Sequence, residues 1–334
     1  MRILGIETSC DETSCAVVEM EQGRRKILSN IVASQIDIHR RFGGVVPEVA
    51  GRAHIETISR ITYEALEEAR LNIKDIDAVG VTYAPGLIGA LLVGVNFAKS
   101  LAFSKGLPLI PVHHIRAHIA AAYLAYEELI PPFLAVAASG GHTSIIDVTS
   151  YTEMKEIGFT RDDAAGEAFD KVGRVMGLPY PGGAAMDKLA AEGNGLAISF
   201  PSPAIPGDTL EFSFSGLKTA VINYLHTCEM KGFSYSREDV AASFTHTVTE
   251  AIMKKTETAL RTSRRDKLVF VGGVAANTHI RRAFSALGEK MDAKIYIPPV
   301  SLCGDNAAMV GAQAYYEYLA GNVGTTSLNA SANA

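Results

Sequence analysis

His114 and His118 stand four residues apart in the run His113-His114-Ile115-Arg116-Ala117-His118, which follows the apolar stretch Leu107 to Val112 and opens the Ala-rich stretch Ile119 to Ala125. If that stretch is helical, the two rings stack on one face and can offer two imidazole nitrogens to one metal ion, while His113 points away. A histidine pair at this spacing is, taken alone, more often a surface or half-buried pair than a metal site. Asp305, in Cys303-Gly304-Asp305-Asn306, offers a carboxylate, although its place ahead of a helical run also suits an N-cap. Two histidines and one carboxylate with coordination positions left open suit iron(II) and are compatible with zinc.

A second group of residues suits a nucleotide. Ser139-Gly140-Gly141 and Gly272-Gly273 each end an apolar strand-like run, where exposed amides can cradle phosphates and glycine permits close approach. Glycine also ends strands for steric reasons, but two such turns in matched positions point to a nucleotide. The polar run Glu7 to Ser14 reads as a hairpin tip, equally suited to solvent or to a phosphate and its magnesium ion. Asp162 and Asp163 read as first-turn acids of a helix, whereas Asp170, two turns in, could bind a sugar hydroxyl. Tyr180-Pro181-Gly182-Gly183 is a turn open to a ligand, with Asp187 one turn on. Gly216-Leu217-Lys218-Thr219 imitates the end of a phosphate loop, but the required spacing of glycines is missing and that reading fails.

These residues need elements to position them. Strand-like runs at Ile3 to Ile6 and Cys15 to Val18, a helical period from His54 to Ala69, then strand Ala78 to Thr82, turn, helix Ile88 to Phe103 and strand Leu107 to Val112 make a first pattern. It restarts with strands Phe133 to Ala138 and Ser144 to Val148, and continues with strand Lys267 to Val271, helix Asn277 to Leu287, strand Ala293 to Ile297 and helix Ala307 to Leu319. The repeat is of patterns, with little shared sequence. It predicts an α/β chain of two lobes facing one another across a cleft, residues 1–130 and 131–304. A helical insert runs over about 149–244, a helix at 305–320 lies near the cleft, and 321–334 form a flexible tail. Pseudo-twofold symmetry of the lobes is expected to carry Asp305 to the histidines.

Composition narrows the class. The 334 residues carry a net charge of −5 and four cysteines, at 10, 15, 228 and 303, with no CxxC spacing. They read as free thiols of an intracellular protein. The N-terminus lacks the long apolar segment of a signal peptide and no later stretch reads as long and apolar enough to span a bilayer, so a cytoplasmic protein with no membrane role is expected. Asn329-Ala330-Ser331 is a sequon without meaning in that setting. The acidic balance requires any RNA binding to use a local basic face or a partner. Candidates are Arg24-Arg25-Lys26, Arg40-Arg41, Lys254-Lys255 with Arg261, Arg264, Arg265 and Lys267, and Arg281-Arg282, each equally a solvated face.

The runs GIETSCDETS, PEVAGRAH, HHIRAH, SGGHT, DDAAGEAFDKVGRVMGLPYPGG, SFSGLKTA, GGVAAN and CGDNAAM closely resemble the bacterial TsaD-type tRNA N6-adenosine threonylcarbamoyltransferases, formerly called glycoproteases or O-sialoglycoprotein endopeptidases. The resemblance covers nearly the whole chain apart from the tail. It implies two ribonuclease-H-like lobes of the actin-like, Hsp70-like ATPase (ASKHA) fold. It also implies transfer of threonylcarbamoyl from threonylcarbamoyl-AMP to N6 of the adenosine beside the anticodon, in tRNAs reading codons that begin with A. By resemblance, His114, His118 and Asp305 hold one Fe2+, or Zn2+, and Ala137, Ala138, Ser139, Gly140, Gly141, Asp170, Gly183, Asp187 and Asn277 contact the adenine nucleotide, threonylcarbamoyl-AMP or ATP. No general base is assigned. The implied partners are tRNA, the shorter paralogue TsaB and the P-loop ATPase TsaE. The chain departs from the pattern at Gly304, where relatives usually have Thr before the metal Asp.

Three other functions compete. A zinc protease of the HExxH kind needs Glu after its first His, and Ile115 stands there. A sugar-kinase-like or Hsp70-like ATPase would use Mg2+ and leave the histidines incidental. A nucleotide-binding scaffold would bind ATP without turnover.

Overall fold

The computed structural model describes residues 1–203, 205 and 209–333. The chain forms two compact units, 1–131 with 150–154 and 304–334, and 132–149 with 155–303.

In the first unit β1 (Arg2–Glu7), β2 (Glu12–Glu21) and β3 (Arg24–Ser34) form an antiparallel meander with Ile3 opposite Val18 and Ile6 opposite Cys15. The short α1 (Ile36–Arg40) and long α2 (Pro47–Glu68) follow, the latter starting with Pro at its first turn, where a missing N–H costs nothing. It therefore begins seven residues before the period in the sequence becomes visible at His54. β4 (Ala78–Ala84) pairs parallel with β1, α3 (Ile88–Lys105) ends at Gly106 in the left-handed conformation, and β5 (Leu109–His113) pairs parallel with β4. α4 (His114–Ala125) starts directly after β5. The sheet order is β3-β2-β1-β4-β5. Ile6, Val79 and Val81 from the sheet pack with Ile58, Ile61, Val95 and Ala98 of α2 and α3 to form the core on one face. α3 has the length and apolarity of a short membrane span, which corrects the expectation that no stretch is long and apolar enough to be one. Its Ala90, Leu91, Gly94, Val95, Ala98 and Ala102 are buried, as in a core helix.

The second unit repeats the plan. β6 (Phe133–Ala138), β7 (Thr143–Val148) and β8 (Met154–Phe159) correspond to β1, β2 and β3, and β9 (Lys267–Val271) and β10 (Lys294–Tyr296) to β4 and β5, in the order β10-β9-β6-β7-β8. The segment expected to be a helical insert thus starts with a sheet strand, which the weak alternation of Met154 to Phe159 concealed. It continues through α5 (Ala165–Val175), α6 (Gly182–Ala190) and α7 (Ser215–Lys231) into α8 (Arg237–Ser263), which runs past residue 244 because Val240, Phe244, Val248 and Ile252 keep one buried stripe. α9 (Thr278–Met291) packs Ile280, Phe284 and Leu287 on the sheet side.

The chain then returns to the first unit as α10 (Ala307–Leu319), which lies against β1, β2, β4 and α4. Close approach depends on Gly5, whose added Cβ would lie 2.2 Å from the Ala307 carbonyl oxygen. The segment expected to be a flexible tail is tied down instead. Gly324 N donates to Leu109 O (2.7 Å), Lys99 Nζ to Leu328 O (2.9 Å) and Ser331 N to Tyr83 O (2.9 Å), while Leu328 and Ala330 cover the α2/α3 core. At the edge strand β5 this segment supplies a backbone partner for Leu109.

Candidate metal centre and nucleotide site

The jump from β5 directly into α4 fixes the histidines. His113 is the N-cap and its Nδ1 accepts from Ile115 N, so it is spent on capping; His114 opens the helix and His118 falls one turn later. Both are buried, their ring centroids 4.6 Å apart and edge to face. Asp305 joins them because α10 belongs to the first unit, which corrects the expectation that symmetry between two lobes would deliver it. Nε2 of His114 lies 3.6 Å and Nε2 of His118 3.1 Å from the same Oδ1 of Asp305, and ligand atoms of all three lie within 4.8 Å of one another.

Asp305 is not the cap of α10. Asn306 Oδ1 accepts from Met309 N (3.1 Å), Ser14 Oγ accepts from Ala307 N (2.9 Å) and Asn30 Oδ1 accepts from Ala308 N (3.3 Å). With those N–H groups satisfied by neighbours, the Asp305 carboxylate is left facing the rings. An added Cβ at Gly304 would meet nothing within 4 Å, so the Thr of relatives would fit there.

Glu7, at the end of β1, is fully buried behind His114. Its Oε1 accepts from Ser9 N (2.6 Å) and its Oε2 from Thr82 Oγ1 (2.5 Å), and Oε2 lies 3.3 Å from His114 Nδ1, beside Ser9 Oγ at 3.2 Å. A carboxylate on Nδ1 directs a proton there and leaves Nε2 as the lone-pair donor, the arrangement of carboxylate–histidine–metal sites. Burial alone would raise the Glu7 carboxyl and lower the His114 ring. Their mutual attraction, and Asp305 for the ring, overcome this, so Glu7 lies below its ordinary value and His114 is pushed up to about 9. Close by, Glu12 rises to about 10 through burial and the charges of Asp305 and Asp11. Negative charge is therefore concentrated where a cation would relieve it. His118, with 1% of its surface exposed, makes no hydrogen bond through either ring nitrogen. Its Nε2 faces only the Asp305 oxygen 3.1 Å away, outside hydrogen-bond geometry, and a metal ion held by both would satisfy the ring. The donor set and this under-satisfied ring fit a divalent ion of borderline softness.

The Glu7 to Ser14 tip is neither solvated nor open. Thr8 Oγ1 donates to Ala90 O, Thr13 Oγ1 meets His54 Nδ1 and Ser14 Oγ donates to Ile31 O. Its hydroxyls are tied into the fold.

In the second unit, the end of β6 and the β6–β7 turn, the body of α5 (Asp170), α6 (Gly183 and Asp187) and the N-cap of α9 (Asn277) carry the other expected residues. An added Cβ at Gly166 would lie 2.5 Å from Ser139 O and one at Gly272, with φ +91°, 2.3 Å from Ala138 O, so these glycines let the loops abut. Ala137 and Ala138 are buried in β6. Gly140, Gly141 and Gly273 differ, since an added Cβ there meets nothing within 4 Å, and at Gly183 only Phe169 Cβ at 4.0 Å. Packing does not require glycine at these positions, as expected where a ligand approaches the backbone. The polar residues have structural partners. Asp170 Oδ1 accepts from Gly182 N (2.7 Å), Asp187 accepts from Thr278 N and Oγ1, and Asn277 is the N-cap of α9 through Ile280 N (3.0 Å). Asp162 and Asp163 precede α5 rather than open it. Asp162 binds the start of α7 through Phe214 N, Ser215 N and two serine hydroxyls, and Asp163 pairs with Lys171.

The family model for TsaD, tRNA N6-adenosine threonylcarbamoyltransferase, matches residues 26–312. The chain belongs to the TsaD family. Proteins named tRNA N6-adenosine threonylcarbamoyltransferase from Clostridium botulinum and Clostridium perfringens are 53% and 52% identical to this TsaD member, over 100% and 99% of it and 97% of each relative. Its activity is accordingly that of an acyltransferase in tRNA modification, placing threonylcarbamoyl on N6 of adenosine, and the protease and kinase-like alternatives are not favoured. Solved structures show the ASKHA fold alone. HypF of T. kodakarensis has TM-score 0.67 at 13% identity, over 96% of this chain and 48% of that one, and the activator of 2-hydroxyisocaproyl-CoA dehydratase from Clostridium difficile has 0.55 at 14%, over 96% and 97%. Sequence reading missed Glu7, Ser9 and Thr82 as supports of the candidate metal centre of this TsaD member. Glu7 lay inside a recognised run, but nothing in its spacing showed that it faces a histidine 107 residues away.

Proposed function

We propose that His114, His118 and Asp305 hold one Fe2+, with Zn2+ as the substitute, and that Ala137 to Gly141, Asp170, Gly183, Asp187 and Asn277 hold the adenylate donor, threonylcarbamoyl-AMP. The observation that carries the metal reading is the convergence of two Nε2 atoms on one Asp305 oxygen, with His118 lacking any hydrogen bond. In the transfer, N6 of adenosine forms a bond to the carbamoyl carbon, the bond from that carbon to the phosphate oxygen breaks, AMP leaves with the electron pair and N6 gives up a proton. A bound divalent ion supplies Lewis acidity toward a phosphate or carbonyl oxygen. The donor is already activated, so the protein's work is holding and orienting. Open glycine amides of the β6–β7 turn suit the phosphate, and Glu7, fixed by Ser9 and Thr82, keeps His114 in the tautomer that presents Nε2. Asp170, Asp187 and Asn277 cap helices with one set of atoms, which also holds their side chains rigid.

The acceptor is the adenosine beside the anticodon of tRNAs reading codons that begin with A. A TsaB-type paralogue and a TsaE-type ATPase assist, as the family resemblance implies, and the reaction takes place in the cytoplasm, as the free thiols suggest. The test is transfer of radiolabelled threonine to unmodified tRNA, given bicarbonate, ATP, the adenylate-forming enzyme and the two partners. Label on the wild-type reaction that vanishes with Asp305→Asn supports the reading; label retained with Asp305→Asn refutes the metal's part, and no label with wild type refutes the assignment of donor and partners.

A further inference from the structure

His54 lies in the first turns of α2, fully buried, 60 residues before the metal histidines, and no role follows for it from the transfer itself. Both of its ring nitrogens are used where β1 passes into β2, one on the loop at Cys10 and one on Thr13 at the start of β2. Nε2 lies 2.9 Å from the carbonyl oxygen of Cys10 and Nδ1 2.8 Å from Thr13 Oγ1. A carbonyl can only accept, so Nε2 carries the proton, and in the neutral ring Nδ1 then accepts from the Thr13 hydroxyl. Burial lowers the ring's proton affinity and favours this state. On the same loop Gln35 N donates to Asp11 O (2.9 Å) and Leu87 N to Ser9 O (2.8 Å). The residues so held include Ser9, which touches His114 Nδ1 and donates its N–H to Glu7.

We infer that His54 is a positioning residue of the metal centre, which fixes the β1–β2 loop from α2 so that Ser9 and Glu7 hold His114 in ligand orientation. The ring reaches the centre through two short steps, from Cys10 O to the adjoining Ser9 and from Ser9 to His114. Leucine at 54 fills similar space and makes neither bond; glutamine can restore a donor near the Nε2 position; Thr13→Val removes the Nδ1 bond alone. The inference rests on the metal reading above, so its test carries a control for that reading.

Cobalt(II) is titrated into the full chain freed of metal, with affinity and the visible ligand-field spectrum recorded and thermal unfolding of the metal-free protein measured alongside. His54→Leu is expected to weaken cobalt(II) about tenfold, at the lower end of what outer partners of metal ligands contribute, and to alter the spectrum. His54→Gln is expected to recover most of both. Wild-type affinity and spectrum in His54→Leu, while His118→Ala loses the ion, would overturn the inference and leave the metal reading intact. Undiminished affinity in His118→Ala would overturn the metal reading itself. If His54→Leu does not fold, Thr13→Val decides: weakened affinity with a changed spectrum supports the positioning role, and wild-type behaviour refutes it.

Discussion

Gly5→Ala is a single methyl group placed beside the helix that carries Asp305 of the proposed metal centre. Gly5 sits in β1, and its added Cβ would lie 2.2 Å from Ala307 O and 2.8 Å from Gly311 N, both backbone atoms of α10. Backbone cannot turn aside as a side-chain tip can, so the helix must retreat by roughly 1 Å to restore ordinary contact, at a cost of about 1–3 kcal/mol for overpacking. For a unit of this size each kcal/mol lowers the melting midpoint by about 2–4 °C, giving a fall of roughly 2–12 °C. Asp305 is two residues upstream of Ala307 and moves with the helix, whereas the histidines on α4 are not pushed. Cobalt(II) affinity should therefore fall along with stability. Calorimetry with and without cobalt(II) measures both, and Gly89→Ala in α3, where an added Cβ meets nothing within 4 Å, is the control expected to hold or gain stability. A Gly5→Ala protein that melts and binds cobalt(II) like wild type would refute the claim that β1 and α10 touch through this glycine to set Asp305.

Metal affinity should rise with pH. His114 must lose a proton to bind, and with its ring pushed up to about 9 the apparent association constant should climb about tenfold per pH unit as pH rises toward 9 and level off beyond it. A flat profile in titrations would contradict the coupling to Glu7 and Asp305. The metal-free protein should behave in the opposite sense. A raised folded-state value contributes stability that is fully present below 6.5 and lost as pH rises through about 9, which denaturant titrations across that window will register. Asp162→Ala should destabilise the start of α7 by about 1–2 kcal/mol, the cost of a lost cap, and accelerate amide exchange in residues 215–231; unchanged exchange would mean the four Asp162 bonds contribute little. Gly140→Val should fold normally, since its side chain enters open space, yet bind adenine nucleotide at least tenfold more weakly in calorimetric titration; undiminished binding would remove the β6–β7 turn from the nucleotide site.

The sheet strands could be read because parallel strands buried on both faces appear as short apolar runs, as in residues 78–81 of β4 and 268–271 of β9. The histidine pair was equally legible, because i, i+4 spacing is a local property of a helix. What the sequence concealed is long-range. Nothing local shows that α10 returns to the first unit, that Asn306 rather than Asp305 caps it, or that Glu7 lies beneath His114. β8 was hidden by its half-exposed pattern, and the tail by its small polar residues, whose attachments are largely backbone hydrogen bonds that side-chain type does not report. Asp170 and Asp187 were chosen for chemistry, and the structure adds that both hold helix starts, so their variants will need a stability measurement beside any binding measurement.

The most direct test of the central claim is the metal content of the purified chain, measured by elemental analysis after loading with iron(II) under anaerobic conditions, for wild type beside His118→Ala. One ion per wild-type chain and almost none in the variant is the result expected from two imidazoles and a carboxylate converging on one point. Equal metal in both proteins, with both folded, would contradict it.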